Sequence, residues 1–584
     1  MNWMRESLKK FHLAWAGLYF SVLTVIMTWP LPTRMLDAMV GQVGDNIYFV
    51  WMIGWLEKAL FQLQVNPFDV WFLNYPEGWS LAYTEITPAN LLIALPFSLL
   101  GGPMFGYNMA LLLSFVLSGL GMYLWVRRMT DSTPAALLAG TAFAFIPYRF
   151  AHFLIGHLNL SGTQWFPFFF MGLFELIEAR RWNWKAALVA GVSLGLIGLT
   201  SVYYLYMCLI VVGVMLLVYL LWIERARWKD GLFWKHLLLM GAVSLPLVIV
   251  AVAPFFALSQ QGGLPDRNIS IVRPYSASPT DFVLPSTDHF LWGAWVGDNF
   301  NRDLWIEGTL YVGAVSGALA LLAWLKRKDS QHAKVMQIML AGGLLAVILA
   351  MGIDLHWNGE SVLVRLPEFV AGRLGRVEAP IPLPGFVLFY VFPFFAKLRA
   401  LMRFGIFALV FVCALAGLGG DWLLKRVPTQ WKQAAAAALI VLVLFDFYPG
   451  PYTEFAQVPP RVVDTWLAAQ PDDAPLVQMP FRLAEDQEQT YYTLFHEKPY
   501  VGGFFNAFPP RQYREVIPVL EGFPDEASVA LLKEFGVKYV LVQASEYADM
   551  QPVQRDCEAL GLELVNKLDG QWVFILPEGS SHAD

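Results

Sequence analysis

A single carboxylate, Asp45, stands at the start of an aromatic-rich segment near the N-terminus of the chain. Residues 41–60 read GQVGDNIYFVWMIGWLEKAL, and residues 46–63 have the composition of a helix lying in a membrane interface. The free N–H groups and the dipole at a helix start stabilise an aspartate there, which explains Asp45 as a cap. The functional alternative is that the helix holds the carboxylate at the mouth of a cavity, where it removes a proton from a substrate.

Basic side chains in FIPYRFAHFLIGHLNLSG could hold a phosphate. Arg149 and His152 are three residues apart, which places them on one face of a helix, and His157 follows five residues later. Arginine offers a bidentate fork to phosphate oxygens, although anchoring to lipid headgroups explains the same residues equally well. As a metal site the two histidines are poor, because a spacing of five does not align two imidazoles on a helix.

A second basic cluster, Lys397, Arg399 and Arg403, lies in PFFAKLRALMRFGIF. Together with the proline-rich approach APIPLPGFVLFYVFPFF, it could form a groove for a polyprenyl phosphate; headgroup anchoring is again the alternative. Glu85, at the end of NYPEGWSLAYTE in the same connection as Asp45, is a further candidate for substrate binding.

The composition is that of an integral membrane protein. Of the 584 residues, 57% are hydrophobic and 15% are charged, whereas about 25% are charged in an ordinary soluble domain. Apolar stretches long enough to cross a hydrocarbon layer of about 30 Å predict eleven spans. These lie near residues 12–30, 104–126, 133–150, 159–178, 186–202, 204–222, 236–257, 307–325, 335–352, 401–424 and 432–448.

Lysine and arginine in the short loops predict the orientation. With eleven spans, the basic clusters fall at alternate connections, and the positive-inside rule places them and the N-terminus in the cytoplasm. The run TPANLLIALPFSLLGGP is predicted to lie in or dip into the outer interface, because counting it as a span would move those clusters outside. The clusters are Arg5/Lys9/Lys10, Arg127/Arg128, Arg180/Arg181/Lys185, Arg225/Arg227/Lys229/Lys235, Lys326/Arg327/Lys328/Lys334 and Lys425/Arg426/Lys432.

The long connections and the C-terminal part then lie outside the cytoplasm. After residue 448, the segments APLVQMPF, GVKYVLV and LELVNKLDGQWVFIL indicate strands, and DEASVALLKEF and QPVQRDCEALG indicate helices. The prediction is a polytopic α-helical membrane domain over 1–448, with a first outer loop at 31–103, and an extracytoplasmic α/β domain over 449–584. The N-terminal segment is interpreted as a retained signal anchor in the plasma (inner) membrane.

A first span followed by a long outer loop of interfacial helices headed by an acid resembles the GT-C superfamily of integral membrane glycosyltransferases. The segment YNMALLLSFVLSGLGMYLWVRRMT is similar to the second span of bacterial members whose substrates are undefined. The resemblance covers most of the chain as architecture and is specific in residues around Gly44 and Asp45.

Membership would imply a hexosyl- or pentosyltransferase of the cell envelope that takes a sugar from a polyprenyl-phosphate donor. The acceptor would be a glycan, lipid or protein that the sequence does not identify. Asp45 would be the base of an inverting transfer, and Arg149, His152, Arg399 and Arg403 would bind the phosphate.

The sequence departs from better-known members in two respects. Many carry two adjacent acids in this loop, whereas Asn46 follows Asp45 here, so the sequence assigns no metal ligands and leaves a divalent metal open. It also lacks a Trp-Trp-Asp-Tyr-Gly-type signature, which argues against an oligosaccharyltransferase.

Two other classes of function stay open. A transporter or flippase of lipid-linked saccharides predicts ionisable groups at mid-span, and few are present. A non-catalytic envelope assembly factor would not need Asp45 and the basic residues to lie close together in one cavity. Nucleic acid is not an expected partner, because the net charge of -6 is dispersed and forms no basic stripe.

Overall fold

The structure, a computed structural model, describes residues 12–260, 264–483, 486–503 and 511–577. Within these residues, six helices are long and apolar enough to cross a membrane: Pro103–Thr130, Thr133–Leu154, Val202–Ile223, Gly231–Gln260, Ala333–Ala350 and Leu401–Leu424. The remaining predicted spans coincide with shorter helices: His12–Met27, Trp165–Glu178, Trp184–Thr200, Ala314–Leu325 and Lys432–Phe447. The chain is a helical membrane protein, and the number of its crossings stays a prediction.

The basic clusters predicted to be cytoplasmic meet at one end of the helical bundle. Connections that are distant in sequence contact one another there: Arg128 pairs with Glu175, Lys334 pairs with Glu224, and Arg227 donates to the Ile177 carbonyl at 2.6 Å. Residues Arg5, Lys9 and Lys10 lie outside the described part of the chain. The described basic connections, which alternate along the chain, thus lie at one end of the bundle, as predicted. That this end faces the cytoplasm stays a prediction.

The long connections gather at the opposite end of the bundle, which we call the loop face. It comprises the described residues of 31–103, 258–306, 353–400 and 449–577. Strand Met39–Val40 pairs antiparallel with strand Phe455–Ala456, and the Gly41 N–H donates to the Glu454 carbonyl at 3.0 Å. The first connection is therefore tied by backbone hydrogen bonds to the chain that follows the last long helix. Three further two-stranded ribbons at this end are Asp69–Val70 with Trp79–Ser80, His356–Trp357 with Glu360–Ser361, and Leu363–Arg365 with Glu378–Pro380.

The run TPANLLIALPFSLLGGP forms a helix, Pro88–Gly101. Its 14 residues span about 21 Å at the α-helical rise, less than the hydrocarbon thickness of about 30 Å. Near its start, Asn90 donates to the Leu158 carbonyl at 2.9 Å, and near its end Ser98 donates to Glu57 at 2.6 Å. Helices that coincide with predicted spans, such as Trp165–Glu178 and Ala314–Leu325, are no longer than this one. The position of Pro88–Gly101 in the outer interface therefore stays a prediction.

The C-terminal region contains a four-stranded sheet. In spatial order its strands are Glu563–Leu568, Gln571–Ile575, Tyr539–Gln543 and Leu476–Met479, and only the last two run parallel. Its helices are Val462–Ala468, Asp486–His496, Arg511–Leu520, Glu526–Glu534 and Met550–Ala559. The strands and the last two helices fall on the segments for which the sequence predicts them.

This sheet shares one apolar core with the first connection. Residues of helix Asp45–Glu57 and of the sheet belong to the same buried cluster. The Trp51 indole N–H donates to the Thr493 hydroxyl at 3.0 Å, and the Tyr500 N–H donates to the Phe72 carbonyl at 2.8 Å. The core therefore crosses the change in composition at residue 448, and the C-terminal region supports the helix that begins with Asp45.

Replacing Trp51 by alanine is expected to loosen this junction. Trp51 is fully buried, and truncation of a buried tryptophan costs about 3–5 kcal/mol. The matched control is Trp71→Ala in the same connection, because Trp71 is 55% exposed. Thermal unfolding and proteolysis of the purified protein in detergent should show a lower transition temperature and faster release of the C-terminal region for Trp51→Ala alone; equal behaviour of the two variants would contradict the shared core.

Candidate active site

Asp45 is the first residue of helix Asp45–Glu57, but it does not carry the main capping role. The side-chain oxygen of Asn46 accepts hydrogen bonds from the N–H groups of Gly44 and Ile47, both at 2.9 Å. Asn46 thus satisfies the backbone at the helix start, where donors lack intrahelical partners. The side chain of Asp45 is partly exposed, at 24%.

His157 contacts the Asp45 carboxylate. Its Nε2 lies 2.9 Å from Oδ2 of Asp45, in the turn that follows helix Pro147–Leu154. Gly156 makes the approach feasible, because a Cβ at this position would lie 2.2 Å from Cβ of Asn46 and its φ is +78°. Only glycine tolerates both the left-handed conformation and the close approach.

His152 extends the contact into the protein interior. Its Nδ1 lies 2.9 Å from Nδ1 of His157, and its Nε2 lies 4.0 Å from Oε2 of Glu307. The His152 side chain is fully buried. Two imidazoles therefore join a partly exposed carboxylate to a buried one.

Glu307 ends this series in a buried ion pair. Arg403 holds both of its carboxylate oxygens, with Nη2 2.6 Å from Oε1 and Nε 3.0 Å from Oε2. The Arg403 guanidinium thus compensates the buried charge of Glu307. We call Asp45, His157, His152, Glu307 and Arg403 the Asp45 network.

The donors of the Asp45 network do not fit a shared metal ion as they are arranged. Ligand atoms bound to one tetrahedral ion at about 2.0–2.1 Å are about 3.4 Å apart with their lone pairs converging. Here the Asp45–His157 and His157–His152 contacts are both 2.9 Å, the length of direct hydrogen bonds. Among the described residues, no group of three His, Cys, Asp or Glu side chains is arranged to hold an ion.

Arg149, predicted to bind phosphate, lies fully buried beside the network. Its guanidinium donates to the Ala144 carbonyl at 2.7 Å, to the Ser114 hydroxyl at 2.8 Å and to the Ser161 carbonyl at 3.1 Å. It also lies 4.1 Å from the centre of the Phe115 ring. In this arrangement Arg149 joins the ends of two short helices to the interior of helix Pro103–Thr130. Its role in substrate binding stays a prediction.

Glu85 lies at the edge of the Asp45 network. Its carboxylate accepts a hydrogen bond from the Ser201 hydroxyl, which also caps helix Val202–Val218. The charge of Glu85 acts on Arg403. The structure therefore brings this candidate close to the cluster, although it does not test substrate binding.

Lys397 and Arg399 follow helix Pro384–Val391 on the loop face. The Lys397 ammonium is 3.2 Å from the Asp266 carboxylate. The Arg399 guanidinium lies over the Tyr275 ring, 5.1 Å from its centre, and the described residues provide it with no carboxylate partner. Of the predicted cations, Arg399 is thus the one whose charge the described chain leaves least compensated.

Glu307 is the residue of this site that sequence reasoning missed. It lies in LWIEGTLYVG, directly before an apolar span, where an acidic residue among apolar neighbours is a signal for a buried partner. The partner is Arg403, 96 positions later. A local pattern contains no information about such a pairing.

Comparison with known proteins identifies a family and structures with a similar fold. Residues 52–416 match the family described as a domain of unknown function, DUF6311. A search of the curated proteins finds no match. Among solved structures, the oligosaccharyltransferase AglB from Archaeoglobus fulgidus, in complex with an inhibitory peptide and a dolichol-phosphate, matches with a TM-score of 0.52 at 12% identity, over 92% of this chain and 70% of that one.

The arabinofuranosyltransferase AftD from Mycobacteria matches with a TM-score of 0.56 at 16% identity, over 96% of this chain and 41% of that one. AglB and AftD are GT-C glycosyltransferases. The predicted resemblance to this superfamily is confirmed for the fold.

Replacing Gly156 by alanine is expected to separate His157 from Asp45. The new Cβ would collide with Asn46, and the left-handed backbone alone costs a non-glycine residue about 1–2 kcal/mol. The control is Gly213→Ala, since a Cβ there meets nothing within 4 Å. A lower unfolding temperature is expected for Gly156→Ala only; unchanged stability would show that the turn can move away from the helix.

Removing one partner of the Glu307–Arg403 pair is expected to destabilise the fold strongly. Breaking a buried ion pair costs about 3–5 kcal/mol, because the remaining charge is left uncompensated. Glu307→Gln and Arg403→Met should each lose free energy of unfolding in this range. The double variant should lose much less than the sum of the two single losses. Thermal unfolding of the three variants in detergent at neutral pH measures the coupling, and additive losses would contradict a buried pair.

Proposed function

We propose that this chain, which belongs to the DUF6311 family, is a membrane glycosyltransferase that moves a sugar from a polyprenyl-phosphate donor to an acceptor hydroxyl. The GT-C fold supports glycosyl transfer as the class of reaction. The observation that carries the proposal is the partly exposed Asp45 carboxylate, held by His157 at 2.9 Å on the loop face of that fold. The dolichol-phosphate bound by AglB is a precedent for a lipid phosphate on this fold.

In the proposed reaction Asp45 is the base. It takes the proton of the acceptor hydroxyl while the acceptor oxygen forms a bond to the anomeric carbon. The bond from that carbon to the phosphate oxygen breaks, and the lipid phosphate leaves with the electron pair. One displacement inverts the configuration, so a single carboxylate suffices and no covalent intermediate is needed.

Arg399 is the favoured contact for the departing phosphate. Its guanidinium is partly exposed and lies over Tyr275 without a carboxylate partner among the described residues. Lys397 is nearby in sequence but already pairs with Asp266, and Arg403 is committed to Glu307. We therefore assign Arg399 the main role in phosphate binding, since an uncompensated guanidinium gains most from a dianion.

The proposal includes a location and partners. The basic end of the bundle would face the cytoplasm and the loop face would lie outside the plasma membrane, as the positive-inside rule predicts. The donor would reach Asp45 from the lipid phase. The acceptor is a glycan, lipid or protein of the cell envelope, and the sugar is a hexose or pentose.

The Asp45→Asn variant is expected to lose transfer by at least about 100-fold, the usual contribution of a general base. The assay is release of polyprenyl phosphate in proteoliposomes from a panel of polyprenyl-phosphate sugars, with envelope lipids and glycans as acceptors. The control is Asp69→Asn, because Asp69 is an exposed aspartate of the same connection that pairs only locally, with Asn66.

Wild-type turnover by folded Asp45→Asn would show that Asp45 is not the base. Absence of release from every donor by folded wild type would argue against a transferase. Protein that instead moves labelled donor across the bilayer would support the flippase alternative.

A further inference from the structure

We propose that His157 is a positioning residue that keeps Asp45 ionised and oriented as the base, and that His152 fixes the tautomer of His157 that this requires. The inference rests on the proposed function and deepens it. It replaces phosphate binding as the role of both histidines, and it makes a resident metal ion at Asp45 unnecessary.

The first step follows from the contact between Asp45 and His157. An ionised carboxylate can only accept hydrogen bonds. The ring nitrogen 2.9 Å from Oδ2 of Asp45 is Nε2 of His157. Nε2 must therefore carry the proton while Asp45 is ready to act as a base.

The second step concerns the contact between the two imidazoles. In a neutral imidazole one nitrogen is a donor and the other an acceptor, so Nδ1 of His157 has no proton and accepts. The 2.9 Å separation of the two Nδ1 atoms leaves room for one proton between them. His152 must supply it, which fixes His152 as the tautomer protonated at Nδ1.

The third step explains why the His152 ring can stay neutral. Among the described residues, Nε2 of His152 is buried without a hydrogen-bond partner. It lies 4.0 Å from Oε2 of Glu307, which is longer than a hydrogen bond. Arg403 already holds both oxygens of that carboxylate. Glu307 is thus neutralised by Arg403 and does not require a charged His152.

The histidine pair stabilises and orients the Asp45 carboxylate, as a bound cation could otherwise do. A hydrogen-bond donor stabilises the ionised form of a carboxylate and fixes its orientation. His157 provides that donor from the turn at Gly156, and His152 anchors it from helix Pro147–Leu154. Activity should accordingly be insensitive to metal chelators.

Two tyrosines of the described chain also face Asp45. Its charge acts on Tyr48 of its own helix and on Tyr107 of helix Pro103–Thr130, while Glu85 acts on Tyr48 from the first connection. Burial raises the pKa of Tyr48 well above its ordinary value, so that phenol stays neutral across the assay range. His157 lies at hydrogen-bond distance from Asp45, with Nε2 2.9 Å from Oδ2.

The test compares variants that keep or remove each donor. His157→Gln places an amide N–H near the position of Nε2, and His152→Asn places one near Nδ1, so both should keep kcat within about tenfold of wild type. His157→Phe and His152→Leu should lower kcat by about 100-fold at unchanged KM for the donor, the loss expected from a misplaced base. In these two variants the acid limb of the kcat–pH profile should move up by about one pH unit, since a hydrogen bond to the charged form is lost.

Three outcomes would overturn the inference. The first is a kcat–pH profile of His157→Phe that equals that of wild type. The second is an equal loss of kcat in His157→Gln and His157→Phe. The third is loss of activity when the wild-type protein is treated with a chelator. Unfolding temperatures of all four variants identify any loss that reflects folding alone.

A second measurement separates this inference from the proposed function. Solid-state NMR of 15N-histidine-labelled protein in lipid, with His157→Gln and His152→Asn for assignment, reads both tautomers without substrate. Protons on Nε2 of His157 and Nδ1 of His152 are expected even if no donor is turned over. The opposite tautomers, or a charged ring at neutral pH, would contradict the positioning role.

Discussion

The contact between Asp45 and His157 is the interaction on which the geometry of the loop face depends. A carboxylate at the end of an apolar bundle loses hydration, and that loss costs free energy unless donors replace the water. The imidazole replaces it from a turn that only glycine at position 156 allows. Asn46, by satisfying the backbone at the helix start, leaves the aspartate side chain for this contact.

The buried charges next to this pair, on Glu307, Arg403 and Arg149, have partners within the protein. Each is compensated inside the protein: Glu307 by Arg403 at two oxygens, and Arg149 by carbonyl and hydroxyl oxygens of neighbouring helix ends. Such groups are stable in an apolar environment only when hydrogen bonds replace their hydration. The compensated charges fix these elements relative to one another, and the proposed function assigns contact with substrate to the partly exposed groups Asp45 and Arg399.

The C-terminal region shares a buried core with the first connection. Its sheet and the helix Asp486–His496 pack against helix Asp45–Glu57 in one core, and backbone hydrogen bonds join it to the first connection. Residues Asn46 to Trp55 of helix Asp45–Glu57 are all buried, and a helix that is apolar on all sides is stable only when it is buried. The C-terminal region covers part of this surface, so the helix that begins with Asp45 is held between the membrane bundle and the C-terminal sheet.

The amino-acid sequence by itself determined the helical membrane class, the helices that coincide with the predicted spans, the gathering of basic loops at one end and the strands of the last part. These are properties of composition and local periodicity, which a linear pattern contains. It also identified Asp45, His152, His157 and Arg403 as residues of interest. Only the tertiary structure decided that they form one network with Glu307, because contacts between residues about 100 positions apart depend on helix packing.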